Sequence, residues 1–298
     1  MLQHLIDSPE LFKQGILYLN QENIENALDC FESLLKKNPF DVKVLVSKGM
    51  ALYKKNNPKL NEEILECYNQ ALKQNPFHVK GLYNKGVFLL FELNKNEEAQ
   101  ECFEKLLKLE SKYKDITTLY LTESLFKQGK YYAALQTIDE LIKTMPFEPY
   151  AWLCKGRIHI GLNEFDKAIE SFKKVIKIDF SNINSCYDKK NIIVDLKKEQ
   201  SINSKSYSLI KNARLVAYTE LKNIYLKLNN FHKVENYEEK IRNIDLEISD
   251  LLKKFNLKQT NLSELEPKVI PKGTWRVITE ERKHSKALEF DEQVRKTI

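Results

Sequence analysis

Residues 11–40 read LFKQGILYLN QENIENALDC FESLLKKNPF, and this stretch decides the fold. Its second half places Ile24, Ala27, Leu28, Phe31, Leu34 and Leu35 on one face of a helix. Pro39 ends that helix, because the residue before a proline is pushed out of the helical region. Asp41 is a good N-cap for whatever helix follows. On the upstream side, Asp7-Ser8-Pro9-Glu10 supplies a cap residue, a proline and an acid for a first turn. Between the two helical patterns lies the polar run around Gln21-Glu22-Asn23. The stretch is therefore read as two antiparallel helices joined by a short turn.

The same landmarks return along the chain. Asn38-Pro39-Phe40 is followed by Asn75-Pro76-Phe77 and Met145-Pro146-Phe147. Gln14-Gly15 is followed by Lys48-Gly49, Lys85-Gly86 and Lys155-Gly156. Ala27-Leu-Asp-Cys-Phe31 is echoed by Ala99-Gln-Glu-Cys-Phe103 and Ala168-Ile-Glu-Ser-Phe172. In these three units the alanine follows its glycine by 12 or 13 steps, and along the chain the landmarks that are present keep one order: Gly, aromatic or Leu, Ala, aromatic, Pro. A small Gly in one helix and Ala in the next let antiparallel helices approach closely, where larger side chains would overpack. Self-similarity at such a period signals stacked supersecondary units.

The pattern resembles the tetratricopeptide repeat (TPR), a helix–turn–helix unit with Trp, Leu-Gly and Tyr in its first helix and Ala, Phe and Pro in and after its second. Leu11, Gly15, Tyr18, Ala27, Phe31 and Pro39 fill those places in the first unit, Leu11 standing for Trp. The second keeps Leu45, Gly49, Leu52, Tyr68 and Pro76, with Ile64 for the usual Ala and Ala71 one turn later. The third keeps Leu82, Gly86, Leu89, Ala99 and Phe103 without the proline. The fourth has Thr122 for Gly, with Gly129, Tyr131, Ala134 and Pro146 holding the frame. The fifth supplies Trp152, Gly156, Ala168 and Phe172, with Phe180 where proline is expected. The resemblance implies an all-α fold: an α-solenoid, a right-handed superhelix of helix–turn–helix repeats, with C-terminal capping helices. Five TPR-like repeats are expected over 1–180 and a helical region with a degenerate sixth repeat and capping helices over 181–256. An extended or flexible tail is expected over 257–298.

Within 181–256, helices are expected over 183–198, 208–228 and 234–255, with a Ser/Asn-rich break at 199–205. The third carries Tyr237, Ile241, Ile244, Ile248 and Leu251 on one face. The pair 221–229 and 231–241 reads as the worn sixth repeat. In the tail, Val269-Ile270 and Trp275-Arg276-Val277-Ile278 form a candidate recognition segment that could occupy the chain's own groove.

Composition agrees. Gly and Pro number only 8 each in 298 residues, too few turn residues for a sandwich or barrel. The net charge of +6 lies wholly beyond residue 180, since 1–180 carries 25 basic and 25 acidic residues. That excess is too small to point to nucleic acid or a membrane surface. The longest apolar run, 87–91, is far too short to span a bilayer. Met1-Leu2-Gln3-His4-Leu5-Ile6-Asp7 lacks the basic start of a signal peptide, so a soluble cytoplasmic protein is expected.

No catalytic constellation is visible. Cys30, Cys67 and Cys102 each precede the second-helix aromatic, so they recur as packing residues one repeat apart; Cys154 and Cys186 have no CxxC partner. His4, His78, His159, His232 and His284 are scattered, and no phosphate-cradling glycine loop is present. Acids such as Glu97-Glu98 or Glu235, Glu238 and Glu239 read as solvated helix surface. An enzyme is not expected, nor a cofactor or metal.

The resemblance implies that each first helix lines a concave face that binds a protein or peptide. The positions placed there are Phe12, Ile16 and Leu19; Val46, Met50 and Tyr53; Tyr83, Val87, Leu90 and Phe91; Leu119 and Phe126; and Leu153, Arg157 and Ile160. The Lys/Asn/Arg clamp by which some TPR proteins hold acidic tails is not expected. Phe12, Ile16 and Ser47 occupy its places, and only Lys80 and Asn84 have suitable chemistry. The expected function is a non-catalytic interaction module holding a partner peptide or helix in an apolar groove. Two alternatives stay open. One is a nucleic-acid-associated role through basic residues 181–230 with Tyr187, Tyr207 and Tyr218, which steep weakening with salt would reveal. The other is a regulatory or assembly subunit of an enzyme complex, which co-purification would reveal.

Overall fold

A computed structural model describes residues 8–109, 113–179 and 204–254. The chain divides into two compact units, Met1–Gln128 and Gly129–Ile298.

The first unit contains α1 (Ser8–Asn20), α2 (Ile24–Lys37), α3 (Val42–Lys54), a short 3-10 turn (Pro58–Leu60), α4 (Asn61–Gln74), α5 (Val79–Phe91), α6 (Asn96–Leu107) and α7 (Lys114–Lys127). The pairs α1/α2, α3/α4 and α5/α6 are hairpins, and α6 packs on α7. Each hairpin stacks on the next through α2/α3 and α4/α5, and the first helices also meet along α1/α3, α3/α5 and α5/α7. The small residues act as the sequence requires. A Cβ on Gly15 would lie 2.7 Å from a ring carbon of Phe31, and one on Gly86 2.6 Å from Phe103. Ala27 and Ala99 are fully buried in the facing helices. The aromatic of the second helix thus fills the space vacated at the glycine of the first. In the second unit of the pattern Ile64 and Ala71 are both buried, so Ile takes the usual alanine place without leaving the core.

The turns between units follow the sequence closely. Asp41 Oδ1 accepts from the Lys43 and Val44 amides at 3.0 and 3.1 Å, capping α3 as expected. The turns inside units carry a feature that the landmarks did not announce. Glu22, Asn56, Asn94, Asn163 and Asn229 have positive φ, as does Gly129, one in each helix–helix turn of the pattern among the described residues. Asn and Gly tolerate this left-handed conformation better than other residues, and Glu22 is the exception.

The second unit contains α8 (Tyr131–Thr144), α9 (Pro149–Gly161), α10 (Phe165–Lys177), α11 (Ser204–Lys227), α12 (Phe231–Arg242) and α13 (Ile244–Lys254). The α9/α10 hairpin repeats the small-against-aromatic contact, with Gly156 facing Phe172 and Ala168 fully buried. Helix α11 packs on α9 and α10 and pairs with α12. Val216, Leu221, Ile224, Tyr225 and Val234 then share a core with Phe172 and Val175. A second cluster joins Ile178, Ile210 and Tyr218 to Ile244 and Ile248 of α13.

Two expectations are corrected here. The single helix over 234–255 is broken at Asn243, whose N–H bonds back to Glu239 O and ends α12. The apolar face is the expected one, but the break lets α13 turn Ile244 and Ile248 onto Tyr218. Helix α11 begins at Ser204, inside the stretch expected to be a Ser/Asn-rich break. The expected helix at 183–198 and the tail 257–298, with Trp275, lie outside the described residues. Among the described residues no helix is long and apolar enough to cross a membrane.

Candidate partner-binding surface

The first-helix positions separate into two sets. Leu19, Val46, Val87, Leu90, Phe91 and Leu153 are buried, Leu90 completely. Phe12, Ile16, Met50, Tyr53, Tyr83, Leu119, Phe126, Arg157 and Ile160 are half-buried. The difference is not one of helical phase: Tyr83, Val87 and Leu90, like Val46, Met50 and Tyr53, follow one another by four and three positions and lie on one stripe, so burial is set by what covers each point along that stripe.

In the first unit the half-buried set is rich in aromatics. Phe12 lies against Phe31, with ring centroids 6.0 Å apart. Tyr53 packs edge-on to Phe88 at 5.7 Å and donates its hydroxyl to Glu92 Oε1 at 2.8 Å. Tyr83 of α5 stacks on Tyr113 at 5.0 Å and lies 6.0 Å from Tyr120 of α7. Burial raises the Tyr83 pKa, so its ring stays neutral across the physiological range. Phe91 meets Tyr120 edge-on at 5.5 Å, and the Lys127 ammonium lies 5.4 Å above the Phe91 ring. Tyr113 and Tyr120 are not among the positions that the repeat pattern selects. Tyr113 precedes α7 and Tyr120 is buried, so the landmark spacing gives no reason to pick either.

Charged groups near these helices mostly tie the hairpins together. Lys48 bridges Glu32 and Glu63 at 3.2 and 2.9 Å, joining α3 to both of its neighbours. Burial opposes its charge, and the hydrogen bonds to Glu63 and Glu32 outweigh that, raising its pKa. In the second unit Arg157 Nε donates to Glu220 Oε1 at 2.9 Å, linking α9 to α11, which gives Arg157 a structural partner. Ser47 is buried and donates to Lys43 O. Lys80 is exposed and Asn84 half-buried.

The three thiols that recur with the repeat, Cys30, Cys67 and Cys102, are buried, and Cys154 is partly so. Burial pushes the Cys67 and Cys102 thiols from an ordinary 9.0 up to about 11. The protonated thiol is therefore favoured in the fold. Its contribution to stability is complete below pH 9.0 and is lost as the pH rises toward 11. Replacing both by Val should flatten the alkaline fall in the urea midpoint relative to the parent chain. Equal slopes for the two proteins would show that these thiols do not titrate with unfolding. Among the described residues no group of His, Cys, Asp or Glu is arranged to hold a metal ion. Tyr218, a candidate nucleic-acid contact on the sequence, is buried and donates to Glu247 Oε2 at 2.7 Å, so it has no face for a base. Tyr187 lies outside the described residues.

Comparison with known proteins agrees with this architecture. Tetratricopeptide-repeat family models match residues 12–66, 67–101 and 149–182. The chain is 25% identical over 187 residues to anaphase-promoting complex subunit 3 of Schizosaccharomyces pombe, a match over 62% of this chain. It spans 27% of that relative's length. Among solved structures, PilW, a type IV pilus biogenesis factor, aligns with a TM-score of 0.56 at 19% identity, covering 83% of this chain and 97% of PilW. A tetratricopeptide repeat protein from Parabacteroides merdae aligns at 0.53 and 17% identity, over 85% of this chain and 86% of its own. At such identities the likeness is one of fold. The landmarks, the stacked hairpins and the family matches together make this chain a tetratricopeptide-repeat protein.

Proposed function

We propose that the chain is a non-catalytic interaction scaffold whose first unit holds a peptide or helix of a partner protein. The contact set is the half-buried first-helix group, centred on Tyr83 and extended by Tyr113. The observation that carries this reading is the partly open Tyr83–Tyr113 stack, which lies over the buried Phe91 and Tyr120. Rigid aromatic anchors of this kind contribute about 2 kcal/mol or more each to binding. Tyr83→Ala or Tyr113→Ala should therefore weaken binding of the partner by about 30-fold, and the two together by about 700-fold where the losses add, with helical content unchanged. Undiminished recovery by a folded double variant would remove this surface as the site.

The match to a subunit of a larger assembly favours a second reading, in which the chain is itself a subunit of a multiprotein complex. Tagged chain from its native cell should then elute in size-exclusion chromatography with stoichiometric partners. Elution as the lone chain would dismiss that reading.

A further inference from the structure

Two of the three Pro-Phe turns of the sequence are the same object, and the interaction surface above does not use them. Asn38 and Asn75 end their helices with φ −138°, ψ 92° and φ −137°, ψ 92°. In each, the Asn side-chain oxygen accepts from the Phe amide, at 3.3 Å for Phe40 and 3.1 Å for Phe77. Each turn is closed by a backbone bond from the following residue, Asp41 or His78, to the Asn carbonyl at 3.3 and 3.1 Å. Those residues in turn cap the next helix, Asp41 on Lys43 and Val44 and His78 Nδ1 on Gly81 at 3.1 Å. The turn is thus held without help from the phenylalanine, yet Phe40 and Phe77 are 62% and 66% exposed. A lone exposed apolar residue needs no explanation. Two identical ones on matched rigid turns, one repeat apart, do.

The surroundings match as well. Lys36 and Lys73 precede the Asn by two positions, and Lys43 and Lys80 follow it by five; all four are exposed. The two turns share one positive field: after burial, the ammonium groups of Lys80 and Lys43 lower the pKa of His78, although Lys43 belongs to the first turn's helix. Each Asn keeps side-chain N–H donors that its turn does not employ. The third turn keeps an exposed lysine, Lys143, two positions before and the closing backbone bond from Glu148 to the Met145 carbonyl at 3.1 Å, but departs in the rest. Met145 replaces Asn, Pro149 and Tyr150 stand where Val and Lys are found, and Phe147 is only 37% exposed.

We propose that the Asn38-Pro39-Phe40 and Asn75-Pro76-Phe77 turns are two copies of one docking element for a folded protein partner carrying a small apolar pocket with a carboxylate rim. The pocket takes the Phe ring and packs on the Pro, while the rim meets the lysines and the Asn amide. Pre-ordering in the capped turn removes most of the entropy cost that a flexible peptide would incur on binding.

The test uses the full chain with p-benzoyl-phenylalanine at position 40 or 77, photo-crosslinked in native extract, with the synthetic peptide of residues 35–44 as competitor. Crosslinks from both positions should map to the same partner pocket, apolar and flanked by Asp or Glu, and the peptide should suppress them while its Phe→Ser version does not. Phe40→Ser or Phe77→Ser alone should lower recovery of that partner about 2-fold, and the pair together about 10-fold or more. Phe147→Ser should change nothing. Melting of the variants should match the parent, as their exposure requires. The proposal fails if the double variant keeps full recovery, if the two positions crosslink to unrelated surfaces, or if the crosslinks join two copies of this chain. Because Tyr83 and Tyr113 are untouched in these variants, failure here leaves the first-helix surface standing, and the converse also holds.

Discussion

Ala27→Glu is expected to unfold the first hairpin of its unit, and Ala168→Glu to do the same to α9/α10. Both alanines have no exposed surface. Each sits on the second helix where it meets the first, beside an aromatic already pressed against a glycine, as Phe31 is against Gly15 and Phe172 against Gly156. A carboxylate there has neither solvent nor a partner, and even its neutral form is several atoms too large. The burial penalty of an unpaired charge and the overpacking together cost on the order of 3 kcal/mol or more. That is a large fraction of the roughly 5–15 kcal/mol that holds an ordinary domain together. Ala133, exposed in α8, is the control, and Ala133→Glu should stay within about 0.5 kcal/mol of the parent. Circular dichroism melts decide the matter, and parental melts for Ala27→Glu and Ala168→Glu would show that the helix–helix contacts are misplaced.

Glu247→Ala is expected to undock α13. Arg214 of α11 is 5% exposed and has two partners for its guanidinium. One is Glu247, bonded through Nη1, and the other is the Ile178 carbonyl, 3.0 Å from Nη2. Its Nε is buried without a partner, so the group has little to fall back on. Glu247 also accepts from Tyr218, whose pKa is raised first by burial and then by that hydrogen bond. Removing one member of a buried pair leaves an uncompensated charge, a loss of about 3 kcal/mol. Replacing both, as Arg214→Met with Glu247→Leu, should restore much of it, because the apolar pair has no charge to desolvate. Hydrogen exchange over α13 reads the effect directly. Protection of α13 in Glu247→Ala equal to the parent would mean that the Ile244 and Ile248 contacts suffice without the ion pair.

Much of the fold is legible because its determinants are local. The close approach of two helices in a hairpin is written as small residues opposite an aromatic at constant spacing. Gly15, Ala27 and Phe31 therefore announce their contact through spacing and size alone. The helix stop at Pro39 and the cap at Asp41 act within one turn of backbone, and both are where the residues put them. The positive-φ residues are a weaker signal. Asn56, Asn94, Asn163 and Asn229 are suggestive, but Glu22 in the same place shows that the turn, and not the residue, dictates the conformation.

The sequence by itself determined that this chain is a series of helical hairpins, and which small and aromatic residues lock each one. Helix periodicity and steric fit within a hairpin involve residues close together along the chain. Only the tertiary structure decided which apolar residues of the first helices are core and which are surface, separating the sealed Leu90 from the half-open Tyr83 in the same helix. It also broke the last helical stretch at Asn243, drew Arg214 and Glu247 together across 33 residues and left Phe40 and Phe77 standing in solvent. Those outcomes depend on how one hairpin crosses the next. Tyr83 and Leu90, seven residues apart, point within about 20° of each other, so what separates them is where the neighbouring hairpin crosses along the helix, and no spacing rule within a single unit contains that crossing.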